Sequence, residues 1–489
     1  MKNKKKILMI TSEVVPYAKT GGLADMVSAL SLKLKEKGHD VRIVLPRYYD
    51  IPKEMLEKLD LPLGIPTGTG EKWTAVYTDM LKKKVPVYFI DHEGLFGRAG
   101  IYGPSGGEAF DDNAERYNLL CRGAFQLCRF LDWIPDIMHC HDWSSGLVPL
   151  YLNTIEYNNE FAETASVFTI HNIGYQGVFS SDQTIHTGLL EQSSMLHNDD
   201  MNFLKCALDQ SHIITTVSPT YAKEIQSPEY GSGLEQLLDY RKYDLFGILN
   251  GVDYSDWNPE TDKYIKPHNY SSENIKNKTL IKKRLQKMAG LEEDSSKPLI
   301  GIVSRLADQK GFKELCEPFY GCLASLCRYI DLQFVILGTG EKWCEDELNR
   351  LSKTLPNLTA WTQFDNEKAH LIEAGSDFFL MPSRYEPCGL NQLYSLKYGT
   401  LPIVRKTGGL ADTVENYNQD SGQGTGFTFN DLTPEAIYNV VGWAVWAWFN
   451  KPKHIVTMQK RAMERDFSWT DSIVKYNEIY DKALEKRRS

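Results

Sequence analysis

The sequence predicts an α/β protein of two doubly wound Rossmann-like domains facing a central cleft, and three observations carry that prediction. Short β-rich runs alternate with amphipathic segments along the whole chain, which calls for crossover connections and mostly parallel sheets. The 489 residues are too many for one core and suit two domains of roughly 240 each. A nonapeptide also occurs twice: Lys19–Val27 reads KTGGLADMV and Lys406–Val414 reads KTGGLADTV, with eight of nine positions identical. Each copy follows a strand-like run and opens a helix, so the repeat marks corresponding points in two similar halves.

Taken in order, a basic lead-in (Lys2, Lys4, Lys5, Lys6) precedes the run Ile7–Ile10, which is shorter than a secretory apolar core and reads as a first strand. Val41–Leu45, Val85–Ile90, Ile137–Cys140, Val167–Ile170 and Ile213–Val217 continue the first sheet, with helices predicted over Leu23–Lys37, Glu115–Leu131 and Glu235–Leu238. The Asn-, Asp-, Gly- and Pro-rich stretch Asn250–Pro259 reads as an interdomain link. Pro298–Val303, Gln333–Leu337, Phe378–Met381 and Leu401–Val404 form a second sheet. The domains are therefore expected at 1–250 and 251–468, with a charged amphipathic helix over 469–489 returning to the first.

Composition narrows the function. With 42% apolar and 24% charged residues and a net charge of −9, the chain is a poor match for nucleic acid or an anionic membrane as main partner. An anionic substrate would need a local cluster of Lys and Arg. No stretch approaches the roughly 18 apolar residues of a membrane span. Nine scattered cysteines without a C-x-x-C pattern point to a reducing cytoplasm and to core packing.

The densest chemistry lies in Met381–Val414. A strand ending at Met381 runs into a polar turn with Arg384 and Glu386, followed by a helix predicted over Gly389–Lys397. In open α/β sheets ligands bind at the carboxyl ends of strands, and the free N–H groups of a new helix favour an anion. Glu386 reads either as a helix cap or partner of Arg384, or as a group that binds sugar hydroxyls and offsets developing positive charge. Lys19 with Gly21 and Gly22 fits a phosphate, or a tight turn packed under a helix. Arg305 and Lys310, five residues apart across a turn, fit one diphosphate or a solvated surface.

Two strand ends in the first half add polar groups. His139 and His141 share a side by period 2, but no further ligand cluster at suitable spacing accompanies them, so no metal is expected. Asp142 accepts ligand hydroxyls or caps a helix. His171, followed by Asn172, is a candidate for the reacting centre or a satisfied structural histidine. The chain has no Asp-x-Asp and no carboxylate pair at glycosidase spacing, so protein cations and helix N-termini are expected to neutralise a leaving diphosphate.

These residues resemble those of bacterial glycogen synthases and plant starch synthases, retaining glucosyltransferases of the GT-B fold that use ADP-glucose. The resemblance is carried by Lys19–Leu23, His141-Asp142-Trp143, Phe168–Gly177, Asn202–Lys205, Asn250–Asp253, Ser304-Arg305-Leu306, Gln309-Lys310-Gly311 and Pro382–Val414, nearly the whole chain. It implies that Lys19, Gly21 and Gly22 bind donor phosphate and that Arg305 and Lys310 grip the diphosphate as it leaves. It implies backbone donors at Gly389, Leu390 and Asn391, and a glucosyl ring surrounded by Asp142, His171, Asn172, Asn250, Glu386 and Cys388. Phe364 stands where the family has an aromatic stacked on adenine. ADP-glucose and a glycogen or α-1,4-glucan acceptor are the implied partners, with no cofactor, no nucleic acid and no membrane, and a cytoplasmic location.

Three positions depart from the wider pattern. Tyr394 replaces a second Glu of related transferases, a replacement common in the synthases themselves, while Asn391 replaces a frequent Thr and Ser144 a frequent His. The alternatives in other classes are a catalytically silent glucan-binding protein and another GT-B enzyme acting on a nucleotide sugar.

Overall fold

The computed structural model describes residues 4–104, 107–190 and 193–489. The chain divides into two compact units, Met1–Gly251 together with Trp469–Ser489, and Val252–Ser468. The junction falls one residue beyond the expected 250/251 boundary.

In the first unit the strand Lys6–Ile10 is central, because Ile7, Leu8, Met9 and Ile10 are all buried and need cover on both faces. The chain first extends the sheet to one side through Asp40–Pro46 and Val85–Asp91. It then returns to the other side of Lys6–Ile10 with Ile137–His141, Ala165–Ile170, Ile213–Thr216 and Leu245–Gly247, all parallel. The order therefore reverses between Lys6–Ile10 and Ile137–His141, which pair with Ile10 opposite Cys140. Loops leaving these two strand ends flank the crevice where doubly wound sheets bind ligands.

The edge beyond Val85–Asp91 departs from the prediction. Gly70–Leu81 pairs antiparallel to Val85–Asp91, and Glu57–Lys58 and Leu63–Thr67 pair antiparallel to Gly70–Leu81. The first long helix covers Gly22–Glu36 and the next Asn113–Phe130, each within two residues of the predicted bounds. The last helix, Trp469–Arg488, belongs to this unit, packed on the Ala165–Ile170 strand and on Gly22–Glu36. It is pinned there by Lys5–Asp481 at 2.7 Å, His39–Asn477 at 2.8 Å and Tyr480–His139 at 2.9 Å.

The second unit holds a parallel sheet in the order Leu358–Trp361, Gln333–Leu337, Leu299–Val303, Phe378–Met381, Leu401–Arg405, Phe427–Phe429. Successive side chains of a strand point to opposite faces, and both faces are buried. Ile300, Ile302, Phe334, Ile336, Phe378 and Leu380 pack into one core layer, and Leu299, Val335, Leu337, Phe379 and Met381 into the other. Here the order reverses between Leu299–Val303 and Phe378–Met381. The turn carrying Arg305 and Lys310 and the turn carrying Glu386 leave those two strands side by side.

Candidate active site

In the second unit the two switch-point turns are locked together through backbone. Gly311 has φ +77°, and a Cβ there would lie 2.0 Å from the Pro382 carbonyl oxygen. One turn further, the Arg384 amide donates to the Gln309 carbonyl at 2.9 Å. This register brings Lys310 Nζ to 2.6 Å from Glu386 Oε2, which also accepts from Ser383 Oγ at 2.9 Å. Glu386 is buried and Lys310 half-buried, so the pair is partly shielded from water and its attraction is stronger than on a surface.

Arg384 is not the partner of Glu386. It makes a fork onto Asp308, at 3.0 and 3.1 Å, and reaches Glu314 at 2.8 Å. Nor does Glu386 cap the helix, which starts only at Asn391 with Leu390 as N-cap and no side-chain cap bond. Arg305 is exposed, with Nη2 3.2 Å from Gln309 Oε1. Cys388 is buried, Gly389 has φ +70°, and Asn391 Nδ2 donates to the Val303 carbonyl at 2.6 Å. Tyr394 stacks on Trp257, with ring centroids 4.2 Å apart. Phe364, in the loop after Leu358–Trp361, is 91% exposed, an aromatic face left open to a flat ligand.

The two copies of the nonapeptide do different work. In the second, Gly408 and Gly409 are buried against the Glu386 turn, and Gly409 N donates to the Glu386 carbonyl at 3.1 Å. That copy is the packed turn under a helix. In the first copy Lys19 and Gly21 are exposed, and a Cβ on Gly21 would meet nothing within 4 Å. Lys19 Nζ pairs with Asp25 at 2.8 Å. Gly22 begins the helix, but the Gly21 amide donates to Glu13 Oε2 at 3.2 Å.

Across the first unit's switch point, Asp142 sits at φ +55° just beyond Ile137–His141. It stands at the N-cap of the short 3-10 turn Trp143–Ser145 but makes no side-chain cap bond there; its carboxylate instead accepts the His171 amide at 2.7 Å. Burial pushes its pKa up to about 7, against the lowering pull of the His171 and Asn172 amides. His171 Nε2 lies 3.2 Å from His141 Nδ1, and burial lowers the His171 pKa to about 3, so the imidazole is neutral at physiological pH. Asn172 Oδ1 accepts from the Gly174 amide at 3.0 Å. Asn250, beyond the edge strand Leu245–Gly247, is buried with an Oδ1 that has no partner among the described residues.

Asp142, His171 and Asn172 thus form one contiguous group in the first unit, and Arg305, Lys310, Glu386 and the 388–391 turn another in the second. Phe364 and Asn250 lie out along their sheets. The His139 and His141 rings lie tilted to each other with centroids 4.2 Å apart, and among the described residues no three His, Cys, Asp or Glu side chains could hold a metal ion. Sequence reasoning missed Glu13. Its signal was a carboxylate directly after the first strand, at the switch point.

Comparison with known proteins identifies the family and the fold. Residues 6–240 match the family model of the starch synthase catalytic domain, and 283–446 that of glycosyl transferases group 1. The chain is 54% identical to a glycogen synthase of Treponema denticola over 489 residues, 99% of each chain. It is 42% identical to glycogen synthase 1 of Geobacter metallireducens, covering 99% of this chain and 97% of that one. Among solved structures it is similar to the catalytic domain of starch synthase IV from Arabidopsis thaliana bound to ADP and acarbose. There the TM-score is 0.89 at 30% identity, over 99% of this chain and 100% of that one. Sucrose-phosphate synthase from Thermosynechococcus elongatus, at 15% identity and a TM-score of 0.61 over 99% of this chain and 100% of that one, shares the fold. The chain belongs to the glycogen synthase and starch synthase family, hexosyltransferases built from two Rossmann-like α/β units of the GT-B class.

Proposed function

We propose that the protein transfers glucose from ADP-glucose to the non-reducing end of an α-1,4-glucan, with retention of configuration, without metal or cofactor, and in the cytoplasm. The observation that carries this reading is the Lys310–Glu386 pair at the second unit's switch point, beside Arg305. A glucosyl donor needs cations where the diphosphate gathers charge and a carboxylate where carbon 1 becomes positive, and these three residues supply both. Phe364 stacks on the adenine. Arg305 grips the diphosphate with its planar fork and Lys310 as a point charge. Glu386 holds sugar hydroxyls, keeps Lys310 aimed, and offsets oxocarbenium charge, while Cys388 lines the ring and the Gly389, Leu390 and Asn391 backbone adds donors. No helix among the described residues is long and apolar enough to cross a membrane.

In the first unit, Lys19 and the Gly21-Gly22 turn serve a phosphate, and Asp142, His171, Asn172 and Asn250 serve sugar hydroxyls. Front-face attack by the glucan 4-hydroxyl, with the leaving phosphate taking its proton, gives retention without an enzymic nucleophile. Glycogen-dependent release of ADP from ADP-glucose tests the assignment as a whole.

Asp142 makes the pH dependence specific. Its carboxylate is the stronger acceptor of hydroxyls and carries its charge only when ionised, and burial raises its pKa to about 7, so kcat/KM falls as pH drops through about 7. His171, already neutral well above pH 3, adds nothing to that limb. Asp142→Asn lowers activity by about 10²-fold and flattens the limb. A pH–rate profile of both proteins checks this, and a limb that persists in Asp142→Asn assigns it elsewhere.

A further inference from the structure

The loop that carries Lys19 is shaped by a buried carboxylate for which no role has yet been given. Glu13 is 3% exposed. It accepts the Thr20 amide at 2.5 Å, the Thr20 hydroxyl at 2.7 Å and the Gly21 amide at 3.2 Å. A fourth donor, the Tyr102 hydroxyl, lies 2.7 Å from Oε1. A buried carboxylate with four donors is fully satisfied, and such charge-assisted bonds are the strong, geometry-setting ones.

The fourth donor belongs to a chain of hydroxyls. Ser144 Oγ donates to Ser12 Oγ at 3.0 Å, and Ser12 Oγ lies 2.7 Å from the Tyr102 hydroxyl. Each hydroxyl has one proton. With the Ser144 proton on Ser12 and the Tyr102 proton on Glu13, the Ser12 proton must go to Tyr102, and every bond then polarises the next toward the carboxylate. Burial holds the Tyr102 phenol far above its ordinary pKa, so it remains a donor. The chain starts at Ser144, beside Asp142, and ends on the loop that follows the first strand. It therefore spans the switch point of the first unit.

We infer that Glu13 is the positioning residue of the Lys19–Gly22 loop, fixing Thr20 and Gly21 so that the Lys19 ammonium meets the phosphate of the nucleotide sugar. The inference rests on the reading of Lys19 as a phosphate contact. It also alters that reading, because the Thr20 and Gly21 amides are committed to Glu13 and the charge offered by the loop is that of Lys19. Glu13 acts through the loop, and its effect should be lost once Lys19 is gone.

The test uses the full-length enzyme with ADP as probe. Glu13→Gln keeps the side-chain size but removes the charge and turns one of the two acceptor oxygens into an NH2 donor, so the side chain can no longer accept from all four donors. It is expected to weaken ADP binding by calorimetry and raise KM for ADP-glucose, each about tenfold, with a smaller change in kcat. Lys19→Ala should weaken ADP binding too, and the double variant should bind no worse than Lys19→Ala alone. Amide hydrogen exchange at Thr20 and Gly21 should be slow in the wild type and faster in Glu13→Gln. Thr20→Val, which removes only the hydroxyl bond, should show a partial effect and stands in if Glu13→Gln does not fold. Wild-type ADP affinity in both Glu13→Gln and Thr20→Val, unchanged exchange, or additive losses in the double variant would overturn the inference. Wild-type affinity in Lys19→Ala would overturn the reading on which it rests.

Discussion

Glu386→Ala and Lys310→Ala are each expected to lower kcat by about 10²–10³-fold, the usual cost of removing one preorganised charge-stabilising group. The two side chains meet at 2.6 Å, so each variant also leaves the other charge without its partner. Breaking a fully buried pair costs about 3–5 kcal/mol. Lys310 keeps 19% of its side chain exposed, so water screens the orphaned charge and a cost nearer 1–2 kcal/mol is expected. That is a fall in Tm of a few degrees beside a loss of orders of magnitude in turnover. The double variant should be about as slow as either single one, because the residues act as a unit. Steady-state kinetics and thermal melts on the three proteins separate the effects, and wild-type turnover in either single variant would remove the pair from the site.

Gly408→Ala should be strongly destabilising. Gly408 has φ +44°, and an added Cβ would sit 1.9 Å from the Glu386 carbonyl oxygen. The obstacle is backbone, so no rotamer change relieves it. Positive φ costs about 1–2 kcal/mol and overpacking about 1–3 kcal/mol, so a loss of about 2–5 kcal/mol is expected. Whatever relaxation occurs moves the Glu386 turn, so turnover should fall as well. Gly21→Ala, at a near-equivalent place in the other copy of the motif, meets open space and should change stability by less than about 1 kcal/mol. Denaturant midpoints compare the two, and equal stability in Gly408→Ala and wild type would contradict the packing described for the second copy.

That contrast shows where the sequence was legible. Eight shared residues announced two related half-molecules and marked both loop-to-helix junctions, because local pattern encodes strand, turn and helix. They did not reveal that one copy faces open space and the other packs on a neighbouring turn, since that depends on which loop lies beside it. The long apolar strands were readable. Leu245–Gly247 and Phe427–Phe429 were not, at three residues each, too short for any periodicity.

The candidate site divides in the same way. Arg384 lies two residues from Glu386 and Lys310 lies 76 away, so proximity in sequence favoured Arg384, whereas the fold pairs Glu386 with Lys310 and turns Arg384 to Asp308. The choice is made by the backbone lock between Gln309, Gly311, Pro382 and Arg384. Glu13 was hidden for a similar reason. Of its donors, Thr20 is seven residues away but Tyr102 is 89, and only the fold brings that hydroxyl to the end of the first strand.

The most direct measurement is nucleoside diphosphate release from ADP-glucose and from UDP-glucose, with and without glycogen, in metal-free buffer. The account predicts glycogen-dependent release from ADP-glucose, with lengthening of the α-1,4 chains and much slower release from UDP-glucose. Preference for UDP-glucose would contradict the donor assignment, and release from neither donor while glycogen still binds would contradict the proposed activity itself.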